Sequence, residues 1–267
     1  MAEMFKIGIL FGDKDDRPPA QIDPGFEFAE VPVSILLAPN RGESWWQQSK
    51  AQIKAWNLPP VKVSSHFIGS SDMFVTGPNV DWEMVEFWTK RAFKRLGDLG
   101  VKVTGCYGAH FPFLEGFDRT KCTDQAIRFC NLMSKEAAKY DIIVALEPMA
   151  SLTTLFPLYV DGLAFVKEVN CSNIRLMADM NYFLKIPQPF DVVSKAPELC
   201  MHAHIAGEKG QPGIGTMPHR EFFRALRNAG YTGGVSCACA WVGEFGPATT
   251  VALDYCKKLR DEVYAGK

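Results

Sequence analysis

Four apolar segments of strand length follow one another in the second half of the chain, at intervals of about one strand plus one helix. The segments are Ile142–Glu147, Ile174–Asp179, Leu199–His204 and Gly234–Ala238. Their last residues are 32, 25 and 34 positions apart. This interval is typical of a parallel α/β protein, whose strands end at a common edge where the chemistry takes place. We therefore expect Glu147, Asp179, His204 and Ala238 to lie side by side at that edge.

Strand-length and helix-length segments alternate along the rest of the chain as well, which predicts repeated β–α units around a buried parallel sheet. Eight strands are predicted, at Phe5–Leu10, Phe26–Val31, Val61–Phe67, Val101–Gly108, Ile142–Glu147, Ile174–Asp179, Leu199–Ile205 and Gly234–Cys239. The clearest helices are predicted at Trp82–Gly97, Thr123–Tyr140, Asp161–Glu168, His219–Ala229 and Pro247–Tyr264. The segment 12–25 is too polar and proline-rich for a full helix, so it is predicted to be a loop. Eight units in 267 residues favour a single (β/α)8 TIM barrel over residues 1–267, with a doubly wound sheet as the alternative.

The composition excludes several classes of partner. A formal net charge of -1 gives no indication of binding to nucleic acid or to a membrane surface. The charged residues Glu3 and Lys6 interrupt the first apolar stretch, and no run of about 18 apolar residues follows, so we expect neither a signal peptide nor a spanning helix. A soluble cytoplasmic protein is the expectation. The eight cysteines lack any CxxC pair, which predicts reduced, packed thiols.

Two carboxylates and one imidazole end three neighbouring strands. Glu147 and Asp179 each close a strongly apolar run, where a buried acid is costly without a strong partner. Together with His204 they offer the oxygen and nitrogen ligands of a divalent cation. The alternative interpretation is that both acids cap nearby backbone N–H groups.

Period-two alternation predicts which strand residues face the barrel axis. His202 should point inward with His204, one layer deeper. Ser236 should point inward with Ala238, and Cys237 and Cys239 should face the helices. The last strand therefore presents only small side chains to the interior.

The motifs VALEPMA, MADMNYF, MHAHIAG, GQPGIG and AGYTGGVSCACAW resemble the sugar phosphate isomerase/epimerase group of the xylose isomerase-like TIM barrels. This group includes ketose 3-epimerases, hydroxypyruvate isomerases and inosose dehydratase. The resemblance extends from about Gly25 to Leu259. It implies a xylose isomerase-like barrel with a divalent metal, Mn²⁺ or Mg²⁺.

The resemblance also implies roles for single residues. Glu147, Asp179 and His204 match the first three metal ligands, and Glu147 also matches an acid/base. The fourth ligand of the family, a glutamate, aligns with Ala238, which leaves that ligand position vacant. Three accounts of Ala238 stay open: weak metal binding through three ligands, loss of the metal with retention of the pocket, or an engineered inactivating replacement. Glu244, in the following loop, is either a substitute ligand or an exposed acid.

Further candidates lie at or after other strand ends. His66 ends the third strand and His110 follows the fourth; both are candidate catalytic or substrate-binding residues, with hydrogen-bonded loop histidines as the alternative. Other candidates for substrate binding are Tyr182, His202, Glu208 and Trp241. A packing role is the alternative for both Tyr182 and Trp241. His219 precedes a helix and is predicted to lie on the surface.

The function implied is isomerisation or epimerisation of a small polyhydroxy carbonyl compound. Glu147 would move the proton next to the carbonyl through an enediolate, and His66, His110 or a water molecule would complete the reaction. A lyase or dehydratase that expels a β-leaving group is one alternative, and a non-catalytic sugar-binding barrel is another. The sequence leaves the sugar and the choice between monomer and homo-oligomer open.

Overall fold

The computed structural model describes residues 3–12, 18–56, 59–68 and 73–266. In these ranges eight parallel strands form a closed barrel in which each strand pairs with the next and β8 pairs with β1. The strands are β1 Lys6–Leu10, β2 Phe28–Pro32, β3 Val61–Ser65, β4 Val103–Tyr107, β5 Ile143–Glu147, β6 Ile174–Asp179, β7 Cys200–Ile205 and β8 Gly234–Cys237. The predicted (β/α)8 TIM barrel is confirmed.

Helices connect the strands on the outside of the barrel. They are α1 Glu43–Ala55, α2 Trp82–Leu99, α3 Arg119–Ala138, α4 Tyr159–Val169, α5 Met180–Lys185, α6 His219–Asn228 and α7 Phe245–Tyr264. All five predicted helices are present, and α1 and α5 are additional. The segment 12–25 holds a single 3₁₀ turn, Pro19–Gln21, within its described part, and residues 13–17 lie outside the described residues.

The strands divide their side chains between two environments. On β5, Val144 and Leu146 are fully buried between the barrel wall and the helices. The barrel interior is more polar, as the hydrogen bond from Ser64 Oγ to Thr104 Oγ1 (2.8 Å) illustrates. Phe28 fills the lower interior, and its ring occupies the space that a Cβ atom at Gly8 would need. The apolar core therefore lies outside the barrel, and polar groups can collect inside it.

Within the described ranges, no helix combines the length and apolarity needed to cross a bilayer.

Candidate active site

A cavity of about 350 Å³ opens at the carboxyl ends of the strands. This is the end at which TIM barrels place their chemistry. Seven of the eight strands, all but β2, contribute to its lining at or next to their carboxyl ends. The lining residues are Leu10, Ser65, His66, Tyr107, Glu147, Asp179, Tyr182, His204, Ala238, Cys239 and Ala240.

Glu147, Asp179 and His204 converge on the floor of this cavity. His204 Nδ1 lies 3.6 Å from Glu147 Oε1 and 3.9 Å from Asp179 Oδ2. One ligand atom from each of the three residues falls within 4.8 Å of the others. The other carboxylate oxygen of Asp179 accepts a hydrogen bond from Asn181 N (2.7 Å) and so caps helix α5. The capping alternative thus applies to one oxygen of Asp179 and leaves the second oxygen to the cluster.

Glu30, on β2, lies beneath the cluster and was not predicted as a site residue. Its carboxylate is fully buried, with His202 Nε2 at 2.8 Å from Oε2 and His204 Nε2 at 2.9 Å from Oε1. Ser236 Oγ lies 3.2 Å from His202 Nε2 on the other side. Because Glu30 engages Nε2 of His204, Nδ1 is the nitrogen that faces Glu147 and Asp179. This arrangement of carboxylate, imidazole and open nitrogen is the usual support for a histidine ligand.

The electrostatics of the cluster favour a bound cation. Burial and the neighbouring Glu147 carboxylate raise the pKa of Asp179 to about 7. Burial opposes protonation of His204, but Glu30 and Glu147 outweigh it and hold the pKa of this imidazole above its usual value. Two acids this close cannot both ionise at low cost without a positive charge between them. The donor set of two carboxylates and an imidazole therefore fits a divalent metal ion such as Mn²⁺ or Mg²⁺.

Aromatic and polar side chains from β3, β4 and α5 form a second wall. His66 adopts a left-handed backbone (φ 47°), which is uncommon for a residue other than glycine and is often found at functional sites. Its Nδ1 lies 3.2 Å from Ser65 Oγ, and its ring meets that of Tyr107 edge-on at 6.4 Å. Tyr182 stacks on Tyr107, with ring centroids 6.2 Å apart. Tyr107 was missed by sequence reasoning, because a tyrosine ending a strand looks like any packed aromatic.

Several predicted site residues lie away from the cavity lining. His110 is buried beside Tyr107, with ring centroids 6.1 Å apart, and burial lowers its pKa to about 4. His202 lies one layer below, as the alternation predicts. Glu208 is exposed on the loop after β7, where its Oε2 accepts from Thr216 N (3.4 Å). Trp241 and Glu244 line a different cavity, beside the start of α7.

The end of β8 presents small side chains to the cavity. Ser236 faces inward and Cys237 faces α7, where its sulfur lies 3.9 Å from that of Cys256, as predicted. Ala238 also lines the cavity, and its N–H donates to Ile205 O (2.9 Å). Cys239 also borders the cavity, and it packs against the apolar core, which agrees with its predicted orientation towards the helices. The strand itself ends at Cys237.

His219 is not on the surface, and that prediction is wrong. Its side chain is buried, its Nε2 donates to Ala206 O (2.8 Å), and its Nδ1 lies 3.1 Å from the hydroxyl of Tyr255. His219 thus links the loop after β7 to helix α7 by hydrogen bonds. The sequence gives no sign of this role, because Tyr255 is 36 positions away.

A model of the xylose isomerase-like TIM barrel family matches residues 23–261. The chain belongs to this family. The resemblance inferred from the sequence motifs is confirmed at the level of the family. The barrel, the strand-end cluster and the cavity above it are thus features of a family member.

Two curated relatives are D-psicose 3-epimerases. The one from Agrobacterium fabrum is 38% identical over 78 residues, which is 28% of this chain and 27% of the relative. The one from Enterocloster bolteae is 27% identical over 146 residues, which is 52% of this chain and 48% of the relative. The matches span about half the length of these relatives or less.

Solved structures of other family members have the same fold. A 3-keto-D-glucoside 4-epimerase from E. coli superimposes with a TM-score of 0.74 at 20% identity, covering 96% of this chain and 99% of the other. A D-allulose 3-epimerase from Methylomonas sp., solved in complex with D-allulose, gives 0.72 at 17% identity, covering 96% and 97%. At these identities the similarity establishes the fold alone.

Proposed function

We propose that this chain isomerises or epimerises a small polyhydroxy carbonyl compound, with a divalent metal held by Glu147, Asp179 and His204. The observation that carries the proposal is the convergence of these three side chains at the carboxyl end of the barrel, with His204 Nδ1 directed at both carboxylates. The relatives named as epimerases of D-psicose support a sugar as the substrate. The cavity of about 350 Å³ is of a size typical for small ligands.

A bound divalent ion would polarise adjacent substrate oxygens and so acidify the proton next to the carbonyl. Glu147 lines the open cavity at the cluster and would remove or return that proton. Asp179 has one oxygen fixed by the N–H of Asn181, so its role would be to hold charge in place. Glu30 would keep Nδ1 of His204 directed at the cluster.

A second group must complete the proton transfer. Of the two histidines proposed from sequence, His66 lines the cavity, whereas His110 is buried behind Tyr107 and holds its proton only weakly. We therefore assign the second role to His66. Its left-handed backbone supports this assignment, since such strain is retained where the position of a side chain matters.

Replacing Glu147 tests the proposal. Glu147→Gln keeps an oxygen for the ion but removes the basic carboxylate, so turnover of D-psicose or D-fructose should fall by roughly 10²- to 10⁴-fold. Glu136→Gln is the matched control, because Glu136 is an equally buried glutamate on α3, outside the barrel. Its turnover should stay within about twofold of wild type.

Deuterium uptake from D₂O reports the same step independently of product. Recovered sugar should carry deuterium after incubation with wild type and should lack it after incubation with Glu147→Gln. Full turnover in Glu147→Gln would show that the base lies elsewhere. Release of a leaving group, instead of exchange, would indicate an elimination.

A further inference from the structure

Tyr107 and Tyr182 form a pair of phenols in the wall of the cavity. Their hydroxyl oxygens are 2.7 Å apart and their rings stack at 6.2 Å with an interplanar angle of 28°. Tyr107 is the last residue of β4, and Tyr182 lies on α5, three positions after Asp179. Both rings line the cavity together with Glu147. The pair therefore joins two elements directly beside the proposed metal cluster.

The two hydroxyls carry two hydrogen atoms, and the hydrogen bond between them uses one. A phenol O–H donates one hydrogen bond and can accept others. One O–H is used between Tyr182 and Tyr107, and the other remains to be directed into the cavity. This count holds whichever tyrosine is the donor within the pair.

Both hydroxyls stay protonated at neutral pH. Burial raises the pKa of Tyr107 and that of Tyr182, and the carboxylates of Glu147 and Asp179 raise both further. The pair therefore acts as a neutral donor and carries no charge of its own.

The charged or ionisable groups around the pair indicate the class of oxygen it meets. The described lining residues include two acids, Glu147 and Asp179, and two histidines, His66 and His204, but no lysine or arginine. Three of these four belong to the metal cluster. Phosphate and carboxylate groups of ligands are usually held by guanidinium or ammonium groups. A neutral phenol in an acid-lined cavity suits a hydroxyl or carbonyl oxygen.

We propose that Tyr107 and Tyr182 form a recognition pair that donates one hydrogen bond to an oxygen of an unphosphorylated sugar. This inference rests on the proposed function and names the substrate class of the same site. The pair contacts the sugar directly, on the wall between the metal cluster and His66. Its two members share the task, because either hydroxyl can supply the outward hydrogen atom.

Calorimetric titration of the Mn²⁺-loaded protein with D-fructose tests the pair. Tyr107→Phe/Tyr182→Phe keeps both rings and removes both hydroxyls, so the dissociation constant should rise roughly three- to tenfold, as for loss of one neutral hydrogen bond. Each single variant should lose less than the double variant, because the remaining phenol can still donate. Tyr140→Phe, at a tyrosine that follows α3 and packs on Gly97, is the control and should stay within about twofold. Mn²⁺ content and the unfolding midpoint of every variant should match wild type.

Three other outcomes would contradict the inference. A double variant that binds D-fructose as tightly as wild type would remove the pair from the binding site. Binding of D-fructose 6-phosphate at least tenfold tighter than D-fructose would place a phosphate in the cavity. If wild type bound none of D-fructose, D-psicose and D-tagatose, the proposed function would fail, and this inference with it. That last result differs from the first two, in which sugar binding persists.

Discussion

At the scale of single residues, Glu30 determines which nitrogen of His204 faces the cluster of Glu147, Asp179 and His204. It is a fully buried carboxylate whose partners are two histidines 172 and 174 positions away. The charges and hydrogen bonds of His202 and His204 overcome the cost of burial and hold the pKa of Glu30 well below its ordinary value. An ionised Glu30 fixes one hydrogen of His204 on Nε2, so that Nδ1 can bind a metal ion once the ion has displaced its proton.

Replacing Glu30 by glutamine should weaken metal binding without removing a ligand. Glu30→Gln has nearly the same shape, but its amide can no longer accept from both imidazoles, so the tautomer of His204 is no longer fixed. We expect Mn²⁺ affinity to fall about 10- to 100-fold, the usual effect of losing such a support. Glu136→Gln serves again as the control in the same calorimetric titration. An affinity within threefold of wild type would show that the imidazole needs no such support.

The sequence pattern predicts the acids that end strands, and it does not predict Glu30, an acid within a strand. Glu147, Asp179 and His204 stand out because each closes an apolar run. Glu30 lies inside an apolar strand segment, after Phe28 and before Pro32. It is stabilised there by His202 and His204, which are far away in the sequence. An inward acid at an alternating strand position was the one available signal. The two histidines that pair with Glu30 could not be predicted from the local sequence pattern.

At the scale of elements, Arg95 on α2 secures the connection from β2 to α1. Its buried guanidinium donates to Ala38 O (2.6 Å) and Arg41 O (2.8 Å), and also to Leu37 O. It also lies over the ring of Trp46, at 5.3 Å from the centroid. The secured connection begins with a π-helical turn, Val33–Leu37, that runs beside the cavity wall: Ser34 N donates to His66 O (3.2 Å).

Removing this guanidinium should destabilise the whole chain. Arg95→Met keeps most of the apolar side chain but leaves the buried carbonyls of Leu37 and Ala38 without a donor, so we expect a loss of about 2–4 kcal/mol in the free energy of unfolding. Arg91→Met, one turn earlier on α2, removes a half-buried guanidinium that donates to Arg41 O and should cost less than about 1 kcal/mol. Urea denaturation of the two variants measures both values. Equal losses would show that burial of Arg95 carries no special weight.

Helix prediction succeeded where the buried face is wide. The helices α2, α3 and α7 bury seven or more residues each and were predicted from their periodicity. Helix α1 buries only Trp46, Ser49 and Ile53 in 13 residues, and α5 has six residues in all. Such elements depend on tertiary contacts, Arg95 on Trp46 among them. Their local sequence is too weakly patterned to predict them.

At the scale of the whole molecule, the spacing of strand ends was sufficient to predict the barrel and the position of its cluster. It could not place the loops beyond the strands. Trp241 lies three residues past Ala238, yet it lines a separate cavity next to Phe245, with ring centroids 5.6 Å apart. Once a strand ends, alternation gives no direction, and the path of the chain depends on packing against α7.

The barrel places β8 next to β7, so Ala238 stands one strand from His204 at the rim of the same cavity. Ala238→Glu would add a carboxylate to the three proposed ligands Glu147, Asp179 and His204, and we expect Mn²⁺ affinity to rise at least tenfold, which needs only about 1.4 kcal/mol. Ala240→Glu adds the same charge to the same cavity, two positions further along, and is the matched control. If both variants bind Mn²⁺ equally, the gain reflects charge in general and not a vacant ligand position.

The most direct test of the central claim is a crystal structure of the protein soaked with Mn²⁺, with the ion located by anomalous scattering. We expect one strong peak at about 2.0–2.3 Å from a carboxylate oxygen of Glu147, a carboxylate oxygen of Asp179 and Nδ1 of His204. His204 Nε2 should remain bonded to Glu30. A strong peak elsewhere, with none between these three side chains, or coordination through Nε2 of His204 would contradict the account.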